Sequence, residues 1–388
     1  MDTSFREIID AMMALVSIGV VLVVLLSGVL WTKWKALDCS FNQAPLRIVT
    51  FDGKQSPYHP SVLYFKHGWQ GYNYYLVETP FACTYPVRGA NYRDQFECPS
   101  IHVSQDGLHW FEIQKNPIDA LTSEQLKSLD YFSDPHLVFR DECIECWYRI
   151  THRHGDYENH NDVSLLRKVS ADGRVWSESE ELARFSDSHP LGNMLISHSV
   201  LYSNEEYKIW YVDSIDGQRD IAFATSTDGI TWSKKSICQL SGYLINPWHI
   251  DVSCWDGVFW LVIFDRIDLS LWRSDDGLSF TFVKSLLLPS KKIGSFYSKD
   301  LYRACLVKVE DSYRLYFSAD DTIKTSIGVM EGPSPDKMLL VSIDGKKNLN
   351  FKQFIIVGFK IMLRNGIGRV KRGLYLYGKR PLMKIFNR

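Results

Sequence analysis

The sequence predicts an all-β domain, a five-bladed β-propeller, from three observations. A turn of the form S-x-D-G-x-x-W/F recurs four times, as SQDGLHW, SADGRVW, STDGITW and SDDGLSF. The copies begin at Ser104, Ser170, Ser226 and Ser274, so they are 66, 56 and 48 residues apart. Strand-like apolar runs precede each turn, and aromatic residues make up 14% of the chain, which suits β-strands. Repetition of this kind predicts small sheets arranged radially.

Each repeated turn has a physical explanation. Glycine permits a positive φ, and the preceding aspartate caps the turn through its side chain. The aromatic residue then begins the next strand and packs between sheets. Each blade is therefore a meander of strands A to D. The strand-like runs are HPSVLYF, YNYYLVETP and CPSIHVS in the first blade; DPHLVF, CWYRITH and VSLLRKVS in the second; SHSVLYS, YKIWYVDS and IAFATS in the third; IDVSCW, VFWLVIFD and LSLWRS in the fourth; and RACLVKV, YRLYFSAD and IKTSIGVM in the fifth.

The repeat predicts where the propeller begins and ends. The meanders span roughly Tyr58 to Gly332, and the fifth blade lacks the Asp-Gly turn. The strand that closes the ring comes from one of two apolar segments, Leu46–Phe51 or Leu339–Ile343. We therefore assign residues 46–345 to the propeller.

The segment before the propeller predicts a membrane anchor. Ala11 to Trp31 is an uncharged apolar run long enough to span a bilayer as a helix. A cleaved signal peptide is the alternative, but the start MDTSFREIID is acidic and no small-x-small cleavage site follows. Residues 1–10 thus form a short N-terminal segment, 11–31 a transmembrane helix and 32–45 a linker.

Charge is unevenly distributed, although the net charge is only −1. Residues 346–388 carry twelve Lys/Arg and no Asp/Glu, so the rest of the chain is acidic. We expect this basic, partly helical, amphipathic tail to lie on an anionic membrane surface; a solvated or partner-binding tail is the alternative. Nucleic acid is not expected as a partner. The charge pattern and cysteines without a disulfide framework favour a single-pass membrane protein whose propeller faces the cytoplasm.

Polar residues are predicted to ring one mouth of the central channel. In a meander, strand A starts where strand B ends and strand C starts, so equivalent positions of all blades meet there. Strand-A starts supply His59, Asp134, His198, His249, Asp251 and Arg303; strand-B ends supply Glu78, Arg149, His152, Asp213, Asp265 and Asp320; strand-C starts add Glu97 and Asp220.

The repeats and strand starts such as Ser133-Asp134-Pro135 resemble those of the five-bladed propeller glycosidases, the arabinanase, β-xylosidase and invertase-like families. The resemblance covers about 275 residues. It implies a central carbohydrate pocket with a catalytic Asp at the first strand A, a supporting Asp at the second and an acidic Glu in the third blade. Asp134 matches the supporting Asp, whereas His59 and His198 occupy the other two strand starts.

This departure leaves three interpretations of the site. Glu97 or Glu78 could supply one carboxyl group, with Asp213 or Asp251 opposite, because glycoside hydrolysis needs two. His59 or His198 could act as a base, since imidazole titrates near neutral pH. Otherwise the pocket binds sugar without cleaving it, with Arg149 and Arg303 suited to an anionic ligand.

The candidate residues follow from these interpretations. The predicted catalytic residues are Asp134, Glu97, Asp251, His59 and His198; the predicted substrate-binding residues are Glu78, Arg149, His152, Asp213, His249, Asp265, Arg303 and Asp320. Histidines with carboxylates could hold a metal on the axis, but no compact ligand spacing supports it, so no metal or cofactor is predicted. Tryptophans that could stack on sugar or fill the core are Trp69, Trp147, Trp210, Trp248 and Trp255.

The functional expectation is a membrane-anchored, glycoside hydrolase-like propeller. It would act on or transfer a membrane-proximal saccharide, including a lipid-linked one, through the central pocket. The alternative is a non-catalytic glycan-binding or scaffold propeller in polysaccharide assembly. Two facing carboxyl groups about 5 to 9.5 Å apart would favour the enzyme.

Overall fold

The fold is known from a computed structural model that describes residues 44–53, 56–81, 97–156, 162–215, 218–290, 295–321 and 324–341. Five antiparallel sheets follow one another along the chain, which confirms the five-bladed propeller. The predicted transmembrane helix at 11–31 and the basic tail at 346–388 lie outside the described residues. Within them, no helix is both long and apolar enough to cross a membrane.

The blades have the predicted order of strands. The first contains β1 (Pro57–Trp69), β2 (Tyr72–Pro80) and β3 (Ser100–Ser104); the second contains β4 (Tyr131–Arg140), β5 (Cys143–Thr151), β6 (Val163–Ser170) and β7 (Glu180–Arg184). The third contains β8 (His198–Ser203), β9 (Glu206–Ile215), β10 (Gln218–Ser226) and β11 (Ser236–Ile237). The fourth contains β13 (His249–Trp255), β14 (Val258–Phe264), β15 (Leu269–Ser274) and β16 (Ser279–Leu287). A short strand before it, β12 (Gln239–Ser241), pairs parallel to β16. The fifth contains β17 (Asp300–Val309), β18 (Ser312–Asp320), β19 (Thr325–Gly332) and β20 (Leu339–Leu340). A short capped helix, α1 (Ser123–Lys127), links the first two blades.

The two segments proposed for closure have different roles, and only the one before β1 joins the ends of the ring. The β20 strand pairs with β19 at the outer edge of the fifth blade. The N–H of Leu46 donates to the carbonyl of Ile327 in that blade at 2.8 Å, while Arg47 forms a parallel bridge with His109 of the first blade. Because Leu46 packs in one apolar cluster with residues of both blades, the chain before β1 joins the two ends of the ring.

The repeated turns are built as the sequence predicted. In all four, the serine hydroxyl accepts the glycine N–H at 2.9 Å, and the glycine has a positive φ between 71° and 82°. Each glycine also lies against an aromatic side chain of the preceding blade, as Gly107 does against Tyr316 of the fifth. The turns therefore connect neighbouring blades as well as neighbouring strands. The six cysteines in the described residues are unpaired thiols, as expected.

Two glycines with nearly the same φ are expected to respond differently to replacement by alanine, because only one of them packs against the neighbouring blade. Gly53 (φ 71°) has open space where a Cβ would lie, whereas a Cβ on Gly107 (φ 72°) would lie 2.5 Å from the Tyr316 hydroxyl. Both alanine variants carry the same backbone strain, but only Gly107→Ala adds a clash. We expect Gly107→Ala to lower the free energy of unfolding by about 1 to 3 kcal/mol more than Gly53→Ala. Equal urea-denaturation midpoints for the two variants would contradict this.

Candidate active site

Bulges at the strand-A starts direct side chains toward the axis. The register of β1 shifts between Tyr58 and Ser61, and that of β4 shifts between Ser133 and His136. Within these bulges His59 and Asp134 have φ values of 51° and 54°. Both residues precede a proline, which further restricts the backbone. Non-glycine residues held in this region are concentrated at functional sites.

Asp134 is the fully buried carboxylate at the centre of the site. Its Oδ2 accepts a hydrogen bond from Nε of Arg149 at 2.8 Å and one from the Ser133 hydroxyl at 3.2 Å. Burial alone would raise the pKa of Asp134, but His249 and Arg149 hold that pKa well below its ordinary value. Asp134 is therefore ionised across the physiological pH range.

The other oxygen of Asp134 faces two imidazoles. Its Oδ1 lies 3.2 Å from Nδ1 of His249 and 4.0 Å from Nε2 of His59. We call His59, Asp134 and His249 the axial cluster; one ligand atom from each lies within 4.8 Å of the others. Nδ1 of His59 is bonded to the Thr79 hydroxyl at 2.8 Å, which turns its Nε2 toward Asp134. Among the described residues, Nε2 of His59 has no hydrogen-bond partner, whereas Nδ1 of His249 and Oδ1 of Asp134 interact with each other.

The two histidines of the axial cluster are neutral at pH 7. Burial lowers the pKa of His59 to about 3, and it also lowers the pKa of His249. The ring nitrogens that face Asp134 can therefore offer lone pairs, as metal binding or proton acceptance requires.

Arg303 is a second buried cation beside Asp134. Its Nη1 lies 3.5 Å from Oδ1 of Asp134, and its Nη2 donates to the carbonyl of His198 at 2.7 Å. The ring of His198 has its Nε2 3.4 Å from the carbonyl of Trp147. His198 thus reaches the site through its backbone, and its imidazole, predicted as a base, points to another strand.

An aromatic wall that the sequence did not single out lines the axial cluster. The Tyr302 ring lies 4.0 Å from that of His249 and 4.9 Å from that of Tyr58. Its hydroxyl accepts a hydrogen bond from Nε1 of Trp248 at 3.0 Å. The only sequence signal for Tyr302 was its place beside Arg303 at a strand-A start. A saccharide entering this mouth would meet aromatic faces next to the polar cluster.

Two further predicted carboxyl groups lie nearby, in different surroundings. Glu97 is almost fully buried with φ 57°, and its charge acts on Arg149 and Tyr302. Asp251 is two residues beyond His249 on β13, and its Oδ2 accepts the N–H of Leu306 at 2.9 Å. Burial raises the pKa of Asp251 to about 6.

The remaining predicted residues make local interactions. These are Glu78 with His102, His152 with Asp130, Asp213 with Lys235, Asp265 with the N–H groups of Ile267 and Asp268, and Asp320 with Lys299. Within the described chain, none of the five bonds to the axial cluster. Asp220 lies opposite Asp213 in the sheet. Of the tryptophans, Trp147 and Trp210 are fully buried core residues.

The chemistry of this site differs from that of a two-carboxylate glycosidase. Asp134 has imidazoles and guanidinium groups as its neighbours, so the cluster offers one ionised carboxylate with two neutral histidines. Such a donor set suits a metal ion as well as a saccharide. The sequence could not reveal it as a compact motif, because 75 and 115 residues separate the three positions.

Comparison with known proteins shows that the fold is similar to that of several carbohydrate-active enzymes. No family model matches the chain. A curated relative, an A type blood N-acetyl-α-D-galactosamine deacetylase of Flavonifractor plautii, is 24% identical over 72% of this chain. The alignment covers 41% of that protein, so the chain spans about two fifths of its relative's length.

Solved structures agree on the architecture. An N-acetylgalactosamine deacetylase from F. plautii, in complex with blood group B trisaccharide, superposes with a TM-score of 0.62 at 20% identity, over 75% of this chain and 95% of that one. The RS223 β-xylosidase superposes with a TM-score of 0.53 at 10% identity, over 73% and 95%. A GH43_1 enzyme from Xanthomonas citri gives 0.54 at 10% identity, over 82% and 98%. The chain is thus a five-bladed β-propeller that resembles GH43-type glycosidases, and a sugar deacetylase is among its relatives.

Proposed function

We propose that the propeller is a carbohydrate-active hydrolase that removes the N-acetyl group from an amino sugar at the axial cluster. The observation that carries the proposal is the convergence of three buried ligand atoms, Nε2 of His59, Oδ1 of Asp134 and Nδ1 of His249, within 4.8 Å of one another; Nε2 of His59 has no hydrogen-bond partner among the described residues. Buried polar atoms without partners are rare and call for an explanation such as a bound ion. The deacetylase relative supports amide hydrolysis as the reaction.

The donor atoms fit a divalent cation such as Zn²⁺. Bonds of about 2.1 Å in tetrahedral geometry place ligand atoms about 3.4 Å apart, and Asp134 lies 3.2 and 4.0 Å from the two imidazole nitrogens. Outer partners also orient the ligands, since Arg149 holds the second oxygen of Asp134 and Thr79 holds the second nitrogen of His59. Small side-chain shifts would complete the coordination.

The chain's own residues have distinct tasks in the reaction. A bound cation would polarise the acetamide carbonyl and acidify water. Glu97 accepts the proton from the water that adds to the carbonyl carbon, and delivers it to the nitrogen as the C–N bond breaks. Acetate and the free amine are the products. Tyr302, whose ring lies 4.0 Å from that of His249, holds the sugar ring against the cluster.

Glycoside cleavage is less well supported than deacetylation. It needs two carboxyl groups whose pKa values differ, so that one can donate a proton. Asp134 cannot donate one, because its pKa lies well below the ordinary value. The groups that contact Asp134 are imidazoles and guanidinium groups, so a second carboxyl group does not face it directly.

Acetate release tests the proposal. The full-length chain is incubated with methyl glycosides of N-acetylgalactosamine and N-acetylglucosamine, before and after EDTA treatment and Zn²⁺ restoration. We expect chelation to abolish acetate release and Zn²⁺ to restore it. His249→Ala should lower kcat/KM at least 100-fold, because a ligand is lost, while His67→Ala, an exposed histidine, should leave it unchanged. Chelator-insensitive turnover, or release of the sugar in place of acetate, would refute the proposal.

A second candidate is glycan binding without turnover. Two guanidinium groups lie beside Asp134, and their charge opposes a cation and favours an anionic ligand. Saccharide binding in calorimetry with no acetate release under any metal condition would favour this candidate.

We also propose that the propeller is held at a membrane, on the cytoplasmic face, by the helix at 11–31 and the basic tail. The apolar run and the charge asymmetry support this, and a membrane-proximal or lipid-linked saccharide would then be the natural substrate. Expression of the full chain and of a chain starting at residue 32, followed by cell fractionation, tests the anchor. Equal recovery of both in the soluble fraction would contradict it.

A further inference from the structure

Two arginines lie over the ring of Trp248, the residue before His249. The guanidinium carbon of Arg219 is 4.1 Å from the centre of that ring, and that of Arg266 is 3.9 Å from it. The two guanidinium carbons are therefore at most about 8 Å apart. Through its Nε1, Trp248 donates to Tyr302, whose ring lies 4.0 Å from that of His249. The arginine pair is thus connected to the axial cluster by a short run of contacts.

The charge of this arginine pair is only partly offset by the protein, because the Asp300 carboxyl group that acts on Arg266 also interacts with Lys299. Within the described ranges, neither Arg219 nor Arg266 forms an ion pair, whereas other arginines such as Arg167, Arg184 and Arg314 each pair with a carboxylate. Nε of Arg219 is buried and has no hydrogen-bond partner there. Burial lowers the pKa of Arg219, and the like charge of Arg266 lowers it further. Mutual repulsion of this kind is unfavourable unless an anion is bound.

A cavity opens beside Arg219. Arg219 lines a space of about 360 Å³ together with Asp220, Tyr243, Leu244 and Asn246. This volume lies within the range of about 300 to 1,000 Å³ that small-molecule sites occupy. Tyr243 and Leu244 are exposed, so the cavity offers an aromatic and an aliphatic surface next to Arg219, with the Asp220 carboxyl group also in its wall.

We propose that Arg219 and Arg266 form a subsite for an anionic substituent, a carboxylate or a phosphate, of the saccharide bound at the axial cluster. A guanidinium group grips either oxyanion through paired N–H donors, and Trp248 holds both guanidinium groups in place. A neutral sugar would leave the repulsion uncompensated. The placement beside the reacting N-acetyl group rests on the proposed function, whereas anion recognition by the pair does not.

Calorimetry on the full-length chain tests the subsite without requiring turnover. The probes are N-acetylglucosamine 1-phosphate, a disaccharide of glucuronic acid and N-acetylglucosamine, and neutral N-acetyllactosamine. We expect at least one anionic probe to bind about 10-fold or more tighter than the neutral one at low salt. The two anionic arms distinguish a phosphate from a carboxylate. Equal affinity for all three probes would overturn the proposal.

Variants of the arginine pair test whether it causes the preference for an anionic probe, and a variant of a separate arginine serves as the control. The double variant Arg219→Met/Arg266→Met keeps long side chains over Trp248 and should lose the preference, with neutral-probe affinity unchanged within about 3-fold. Arg184→Met, an exposed arginine paired with Asp162, should keep the preference. If the double variant does not fold, the exposed Arg266→Met alone should weaken the preference several-fold. Retention of the full preference in Arg266→Met or in the folded double variant would overturn the proposal, whether or not the wild type releases acetate.

Discussion

Replacement of Asp134 by Asn is expected to lower the free energy of unfolding by about 3 to 5 kcal/mol. Asp134 is the buried counter-charge of both Arg149 and Arg303. An amide of the same shape keeps the packing but leaves two buried guanidinium groups without their counter-charge. Removing one partner of a buried ion pair in this way is strongly destabilising. Urea denaturation of the metal-free chain at pH 7 measures the difference.

A surface pair supplies the control for this change. Asp256 pairs with Lys308 at 2.6 Å but is largely exposed, so Asp256→Asn should change the stability by less than about 1 kcal/mol. The pKa of Asp134 is held below its unfolded value of about 3.9. Its stabilising contribution is therefore present above that pH and disappears as the pH falls through the folded pKa. Asp134→Asn and wild type should converge in acid; a difference that grows there would contradict the assignment.

Replacement of Asp251 by Asn should do the opposite and stabilise the protein at neutral pH. Burial raises the pKa of Asp251 to about 6, roughly 2 units above the unfolded value of about 3.9, so the ionised carboxylate at pH 7 costs about 2 to 3 kcal/mol. The Asn side chain carries no charge, and its oxygen can still accept the N–H of Leu306. We expect a higher melting temperature for Asp251→Asn at pH 7.

The pH dependence distinguishes this explanation from better packing. A raised carboxyl pKa stabilises the fold below the unfolded pKa, and that contribution is lost as the pH rises through the folded pKa. The advantage of Asp251→Asn should thus develop between about pH 4 and pH 6 and stay constant above. A constant advantage from pH 4 to pH 8, or a loss of stability at pH 7, would refute the buried-charge account.

The architecture was predictable because its signals are local. The four Ser–Gly turns depend on hydrogen bonds within a few residues, so a single segment such as Ser104–Trp110 contains all the residues that define the turn. Closure was harder to predict, since Leu46 bonds to Ile327, a partner far along the chain that spacing cannot identify. Two candidate segments were retained: the one before β1 joins the two ends of the ring, whereas β20 completes the fifth blade by pairing with β19.

The sequence predicted which strand ends meet at the mouth of the channel, but it did not predict the contacts that each side chain makes there. Radial repetition explains why His59, Asp134 and His249 converge from three blades. It does not fix where each side chain points: Asp213 and Asp320 instead pair with nearby lysines. The axial cluster could not be recognised in the sequence as a compact set of ligands, because its members belong to three separate meanders.

The bridge made by residues 44–48 gives the ring a mechanical weak point. A pull on the chain ahead of residue 44 reaches Leu46 first and shears its single hydrogen bond to Ile327 and the adjacent contact of Arg47 with His109. Force applied there would detach residues 44–48 from the ring, while direct bonds such as that from the Tyr316 hydroxyl to the carbonyl of Gly107 would still join the fifth and first blades. A tether at this end would therefore load this segment before any complete sheet.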